Sequence, residues 1–262
     1  FFNKWISPLF GEKALKDVSP SDLETLKERM TKAGASTRSI QYCLAVVRQV
    51  FNQAISLEVF DGRNPASKIR IPSPNNKRSR FLTSKEADKL LNKLAEHSQD
   101  LHDIALISLH CGLRAGEIFN LRWNDINLQQ GIIHVKDTKS NRDRYAYITR
   151  ATHEMLSRRA YSNAGKLVFP DRKGGQRQLV SNIFKKVVYE LGLNDRINDN
   201  RDKVTFHTLR HTFASWQVQA GMSLYELQRL LGHESFAMVQ RYAHLAPENL
   251  QRATAIFDQQ EN

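Results

Sequence analysis

At 262 residues the chain is long enough for one large domain or two ordinary ones, and its 40% apolar content allows a full core. Lysine and arginine outnumber aspartate and glutamate by 39 to 27, and the formal net charge of +12 suits a polyanionic partner, most simply nucleic acid. No run approaches the ~20 apolar residues of a membrane helix. No secretory signal is present, and Cys43 and Cys111 lie far apart in apolar stretches, so buried free thiols in a reducing cytosol are expected rather than a disulfide.

The chain begins with Phe1 rather than Met, so an upstream piece is expected to be missing. Ser19-Pro20 predicts a helix start, with serine as cap, proline in the first turn and Asp22 near the positive end. Leu23, Leu26 and Met30 mark its buried face, and Gly34 ends it. A second helix of about twenty residues opens near Ser36 or Thr37, because Ile40, Leu44, Val47, Phe51 and Ile55 recur at three or four residues. Lys32, Arg38 and Arg48 on this helical unit suit either DNA phosphates or a solvated face. Asn64-Pro65 breaks the pattern. Residues 66–80 carry two prolines and five basic residues with little to bury, which predicts an extended linker. Lys68, Arg70, Lys77, Arg78 and Arg80 are its candidate phosphate contacts.

Thr83-Ser84-Lys85-Glu86 is a capping box, so a new helix starts there with Ala87, Leu90, Leu91 and Leu94 as its buried stripe. Ile104–Leu109 is continuously apolar and predicts a central helix, stopped by Gly112. A short helix follows with Arg114 and Glu117 three apart, where Glu117 can hold the guanidinium, either as a structural ion pair or aimed at a phosphate. Ile132–Val135 and Tyr145–Ile148 read as strands around a polar hairpin tip containing Lys136 and Lys139. Helices are predicted at 151–161 and 181–191, with the apolar run Leu167–Phe169 and a turn at Asp171–Gly175 between them. Residues 195–203 are polar and predict a mobile loop. Thr208–Gln219 is a helix with Leu209, Phe213 and Trp216 to pack. Ser223–Glu226 is another capping box, and Gly232 stops that helix so that His233 sits just past its end. Short helices are predicted at Met238–Tyr242 and Pro247–Phe257. The stripe Leu250, Ala253, Ile256, Phe257 of the last one docks either on its own domain or on a neighbouring protomer.

The last fifth of the chain concentrates the chemistry. His207 and Arg210 share a helix face. An arginine fork matches phosphate oxygens, a histidine moves a proton near neutral pH, and a tyrosine can form a covalent intermediate. His207 and His211 have a metal-like spacing, but Thr208 stands where a zinc protease helix needs glutamate, and His211 is expected to be a packing or supporting residue.

The pattern His207-x-x-Arg210-His211, then Leu231-Gly232-His233, then Arg241-Tyr242 resembles the signature of the tyrosine recombinases, the phage-integrase family. Cys111-Gly112-Leu113-Arg114-Ala115-Gly116-Glu117-Ile118 resembles that family's first arginine motif, and Lys139 sits where the family keeps its hairpin lysine, with Lys136 as the competing candidate. The run from Phe206 to Leu245 looks most like integrases of prophages and genomic islands. The resemblance implies a mainly α fold with a small β-sheet in the catalytic domain. Its expected parts are a helical core-type DNA-binding domain over 1–65, a basic linker over 66–80 and a catalytic domain over 81–262. It implies site-specific cutting and rejoining of double-stranded DNA at attachment sites, for integration and excision of mobile DNA, through a 3′-phosphotyrosyl intermediate on Tyr242. Arg114, Arg210 and His233 would hold the phosphate. His207 would take the tyrosine proton, Lys139 would give one to the leaving oxygen, and Glu117 would support. No metal, ATP or other cofactor is implied. The implied partners are other copies of the chain, as a tetramer on DNA, and accessory DNA-bending proteins, in the bacterial cytoplasm and with no membrane. Val239 stands where integrases often carry threonine. Type IB topoisomerases share this chemistry, and a DNA-binding repressor or bending protein remains a further alternative.

Overall fold

The computed structural model describes residues 1–70, 80–136, 143–159 and 164–247. The chain divides into two compact units, Phe1–Asn76 and Lys77–Asn262.

In the first unit a π-helical turn, Phe2–Ile6, runs into α1 (Ser7–Phe10), followed by α2 (Pro20–Lys32) and α3 (Thr37–Ser56). The Ser19 hydroxyl caps the Asp22 amide while the Asp22 carboxylate returns to the Ser19 amide, satisfying two donors that a helix start otherwise leaves open. Leu23, Leu26 and Met30 of α2 pack on Ile40, Leu44, Val47 and Phe51 of α3. Ile55 departs from the predicted stripe: it is exposed, and Ala54 is the buried residue of that turn. The first residues of the expected linker are folded onto the first unit. Asn64 caps a 3-10 turn at Pro65–Ser67, and Ala66 and Ile69 are buried with the α2–α3 core. Arg48 is drawn into the same fold, donating to the Ala66 carbonyl at 2.8 Å. Ile69 was misread because one isoleucine among basic residues and prolines carries no periodicity.

The second unit is built on α5 (Gln99–Cys111), in which nine of thirteen residues are buried, which makes it the central helix. It packs against α4 (Ser84–His97) and α9 (Phe206–Gln219). Leu82 donates to the Thr212 hydroxyl and accepts from the Trp216 indole, bolting the start of this unit to α9. The remaining elements are α6 (Ala115–Asn120), α7 (Arg150–Arg158), α8 (Asn182–Glu190) and α10 (Leu224–Leu231), with 3-10 turns at Phe236–Met238 and Gln240–Leu245. A three-stranded antiparallel sheet joins β1 (Ile126–Asn127), β2 (Ile132–Val135) and β3 (Arg144–Tyr147) in the order β1-β2-β3, with Val135 opposite Arg144. The fold is therefore mainly α with one small sheet.

The stretch 195–203 is closed at its base. Asn194 bonds both the amide and the carbonyl of Val204, and Asp199 pairs with Arg201. Cys43 and Cys111 are buried free thiols. No helix among the described residues is long and apolar enough to cross a membrane. The expected C-terminal helix, with Leu250, Ala253, Ile256 and Phe257, lies outside the described residues.

Candidate active site

The C-terminal ends of two helices are bridged by one side chain. Gly112 stops α5 and Gly232 stops α10, each with a left-handed backbone (φ +68° and +63°) that side chains resist. Helix ends expose unpaired carbonyls and the negative pole of the helix dipole, so they attract cations. Arg210, from the first half of α9, fills that place. It is 3% exposed, and it donates to the Gly112 carbonyl at 2.7 Å and to the Leu231 carbonyl at 2.6 Å. Burial pushes its pKa down to about 9, partly opposed by Glu117, so it stays charged at neutral pH.

Glu117 is the single carboxylate shared by three arginines. Its oxygens accept from the Arg114 amide (2.7 Å) and guanidinium (2.8 Å), from both terminal nitrogens of Arg144 (3.0 and 2.8 Å), and from Arg210 at 3.5 Å. Burial alone would raise the Glu117 pKa. The Arg144 hydrogen bonds and the charges of Arg144 and Arg210 outweigh it and hold the carboxyl below its ordinary value. Arg114 keeps a third of its side chain exposed and lines an open groove with Asn120, Lys136 and Gly232.

His233 lies just past α10, its Nε2 3.3 Å from a terminal nitrogen of Arg210. A guanidinium only donates, so Nε2 accepts and the ring proton sits on Nδ1. That Nδ1–H is buried and has no hydrogen-bond partner among the described residues. Burial first, and then Arg210, push the His233 pKa down to about 3, so the ring is neutral. Tyr242 is also buried. Its hydroxyl is 2.6 Å from Nδ1 of His211, and burial raises its pKa to about 12 against the pull of Arg241 and Arg210.

A model of the phage integrase family matches residues 80–249. The chain belongs to the phage integrase family. It is 35% identical to the integrase of Salmonella phage P22 over 189 residues, 70% of this chain and 48% of that protein, so the chain spans about half the length of that relative. It is 29% identical to the tyrosine recombinase XerC of Xanthomonas campestris pv. campestris over 258 residues, covering 93% and 75% of the two chains. Among solved structures, the Tn1549 transposon integrase in complex with a circular intermediate DNA superposes with a TM-score of 0.72 at 20% identity, over 94% of this chain and 86% of that one. That likeness establishes the shared fold.

Within this integrase-family domain the structure gathers Arg114, Glu117, Arg210 and His233 into one cluster. The imidazole on the Tyr242 hydroxyl is that of His211. His207 stands one turn earlier on α9, exposed, with its ring edge-on to His211 at 4.8 Å between centroids. Among the described residues no three metal-ligating side chains gather. Lys139 lies outside the described residues, as do Lys77 and Arg78. Lys136 is engaged by the buried carboxylate of Asp125. Lys68 and Arg70 are exposed on the first unit. Arg80 is committed to Glu86 at 2.6 Å and to the Phe81 carbonyl, because Glu86 sits at the start of α4 facing it.

Two participants make contacts that the motifs do not assign. Arg144 reads as the end of a polar hairpin tip, yet it reaches Glu117, and its Nε donates to the Leu230 carbonyl at 3.0 Å. Strand alternation carries the signal: Arg144 shares a face with buried Ala146, while Tyr145 and Tyr147 point outward. His211 directly meets Tyr242, which its apolar helix position does not announce.

Proposed function

We propose that this chain is a site-specific DNA recombinase of the integrase type, cutting and rejoining duplex DNA through Tyr242. The observation that carries this is the charge count of the cluster. Three guanidiniums, from Arg114, Arg144 and Arg210, share the one carboxylate of Glu117, and beside them the His233 Nδ1–H has no partner among the described residues. A net charge of about +2 with a spare buried donor is a site built for an anion. A phosphodiester passing to a doubly charged phosphorane matches it.

In the proposed reaction the Tyr242 oxygen attacks phosphorus. The bond to the 5′ oxygen breaks, and a 3′-phosphotyrosine and a 5′-hydroxyl result. Arg114 and Arg210 hold the non-bridging oxygens, and His233 donates to one of them. His207 accepts the tyrosine proton and Lys139 protonates the leaving oxygen. Attack by another strand's 5′-hydroxyl reverses the step without ATP. His211 holds the phenol at rest. A tyrosine that is 6% exposed with a pKa of about 12 must leave this pocket to reach a phosphate, so Tyr242 swings out before cleavage. The first unit and the basic stretch that follows it grip the DNA backbone, with Lys68, Arg70, Lys77 and Arg78 as contacts. Integration and excision of mobile DNA at attachment sites, by a tetramer with DNA-bending helpers in the bacterial cytoplasm, completes the proposal.

Covalent trapping tests it. The protein and its Tyr242→Phe variant are incubated with a nicked random-pool duplex and with duplex from candidate attachment sites, then stopped with detergent. A protein–DNA adduct that forms with wild type in the presence of chelator, and not with the variant, supports the assignment. Absence of any adduct on the cognate site overturns it.

A further inference from the structure

We propose that Arg144 is a positioning residue of this site: by pairing through two bonds with Glu117 it offsets the negative charge that this carboxylate, bonded to Arg114 as well, would otherwise set against a phosphate at Arg114 and Arg210. The inference rests on the proposed DNA cleavage and assigns a role to a residue outside the motifs that suggested it.

Arg144 is spent within the protein, with every guanidinium nitrogen engaged. Its side chain is 8% exposed, and three of its nitrogens are spoken for, two by Glu117 and one by the Leu230 carbonyl. Fork-to-fork pairing of this kind is the strongest and most directional form of guanidinium–carboxylate contact. Arg210 is held by the same carboxylate more loosely, at 3.5 Å, and Arg114 keeps exposed surface. Glu117 thus takes two guanidinium bonds from Arg144 and one each from Arg114, at 2.8 Å, and Arg210.

The charge count shows why this matters. Paired with Arg144, Glu117 is neutralised, and Arg114 and Arg210 together present about two positive charges to a phosphorane with two negative ones. Without Arg144, the same carboxylate would cancel one of those two charges. Inside a partly desolvated site such a pairing is strong enough to redirect a guanidinium. Arg144 also fixes where that chemistry sits. It begins β3. Its bond to Leu230 and the approach of its Cδ, which a Cβ on Gly232 would meet at 2.8 Å, tie the strand to the end of α10, immediately before His233. One side chain therefore registers β3, α6 and α10 against each other.

The test measures single-turnover adduct formation, with DNA affinity measured in parallel. The substrate is a labelled duplex carrying the sequence recovered from trapped wild-type adducts. Arg144→Gln should slow cleavage by about tenfold or more while changing DNA affinity by no more than about threefold. Glu117→Gln removes the competing charge, so the double variant should be no slower than the worse single variant within about threefold. Arg144→Lys, which keeps the charge but loses the fork, should fall between wild type and Arg144→Gln, and it replaces Arg144→Gln in the comparison should that variant not fold. Losses that multiply in the double variant, a fall in affinity equal to the fall in rate, or wild-type cleavage by Arg144→Gln would each overturn the inference. Wild-type adduct formation, absent with Tyr242→Phe, keeps the underlying reaction established in every one of those cases.

Discussion

The Nδ1 atom of His211 lies 2.6 Å from the hydroxyl oxygen of Tyr242, and both side chains are buried. The pair links α9 to the 3-10 turn that carries the tyrosine, across 31 residues of sequence. It also stores the phenol in its protonated form, since burial raises the Tyr242 pKa from 10 to about 12 despite Arg241 and Arg210.

Alkaline unfolding should report that storage. Between pH 10 and 12 the unfolded tyrosine ionises while the folded one does not, so the folded state binds more protons and stability falls as pH rises. The contribution is complete below pH 10, and about 2–3 kcal/mol of it is lost by the time the folded group titrates. Urea unfolding of wild type and Tyr242→Phe at steps from pH 9 to 12 should therefore show curves that converge as pH rises. Parallel curves across that range would show that Tyr242 is not held in this pocket.

Glu117 predicts the opposite pH sign. Its folded pKa is depressed, because the Arg144 hydrogen bonds and the charges of Arg144 and Arg210 outweigh burial. Its stabilisation is present above the unfolded carboxylate value and is lost as pH falls through the folded one. At neutral pH, Glu117→Ala leaves Arg144 and Arg210 buried without their counter-ion and should cost about 3–5 kcal/mol. The stability gap to wild type should narrow below pH 4.5, the ordinary value for this carboxyl. A gap that stays constant down to pH 3 would mean that Glu117 is not charged in the folded state.

What the sequence discloses and what it hides follow from the distance over which each interaction is encoded. The capping boxes at Ser19/Asp22, Thr83/Glu86 and Ser223/Glu226, the Gly112 and Gly232 stops, and the Arg114–Glu117 pair all lie within one helical turn, and each is legible in the letters. Arg144 with Glu117 and His211 with Tyr242 are separated by 27 and 31 residues, and only the packing of β3, α6 and α9 brings them together. Composition misleads in one place. The stretch from residue 66 is basic and proline-bearing, yet Ala66 and Ile69 close the first unit's core, because burial there depends on Arg48 and Asn64 reaching over from outside it.

The basic residues beside that stretch are unequal. Arg80 already donates to Glu86 at 2.6 Å and to the Phe81 carbonyl, whereas Lys68 and Arg70 are exposed. If the proposed DNA grip operates here, Lys68→Ala or Arg70→Ala should each lower the slope of log affinity against log salt by about 0.9, the effect of one lost phosphate contact. Arg80→Ala should leave the slope within error and act instead on folding, by up to about 1 kcal/mol for a partly exposed pair. Gel-shift titrations between 50 and 200 mM salt, about the range over which such slopes are resolved, check this. A drop in slope of about 0.9 with Arg80→Ala would place that guanidinium on a phosphate rather than on Glu86.

The two glycine stops at the arginine cluster should separate stability from chemistry. Both have positive φ, so alanine strains the backbone at either position by roughly 1–2 kcal/mol. What the new methyl meets differs. At Gly112 it would lie 2.5 Å from Cδ1 of Phe213, a ring buried in the core beneath α10, and a rigid ring cannot retreat without a packing defect. Gly112→Ala should therefore unfold at clearly lower urea, with a total cost of about 3 kcal/mol or more once overpacking is added to strain. At Gly232 it would lie 2.8 Å from Cδ of Arg144, a flexible side chain that can shift, but only by pulling its fork off Glu117 and its Nε off Leu230. Gly232→Ala should keep most of its stability, losing about 1–2 kcal/mol, while its rate of adduct formation falls by about tenfold or more. Equilibrium urea unfolding and single-turnover cleavage, run on both variants, give the two readouts. Should Gly232→Ala lose stability as heavily as Gly112→Ala while the fraction that remains folded cleaves at the wild-type rate, Gly232 would be a helix stop and nothing more.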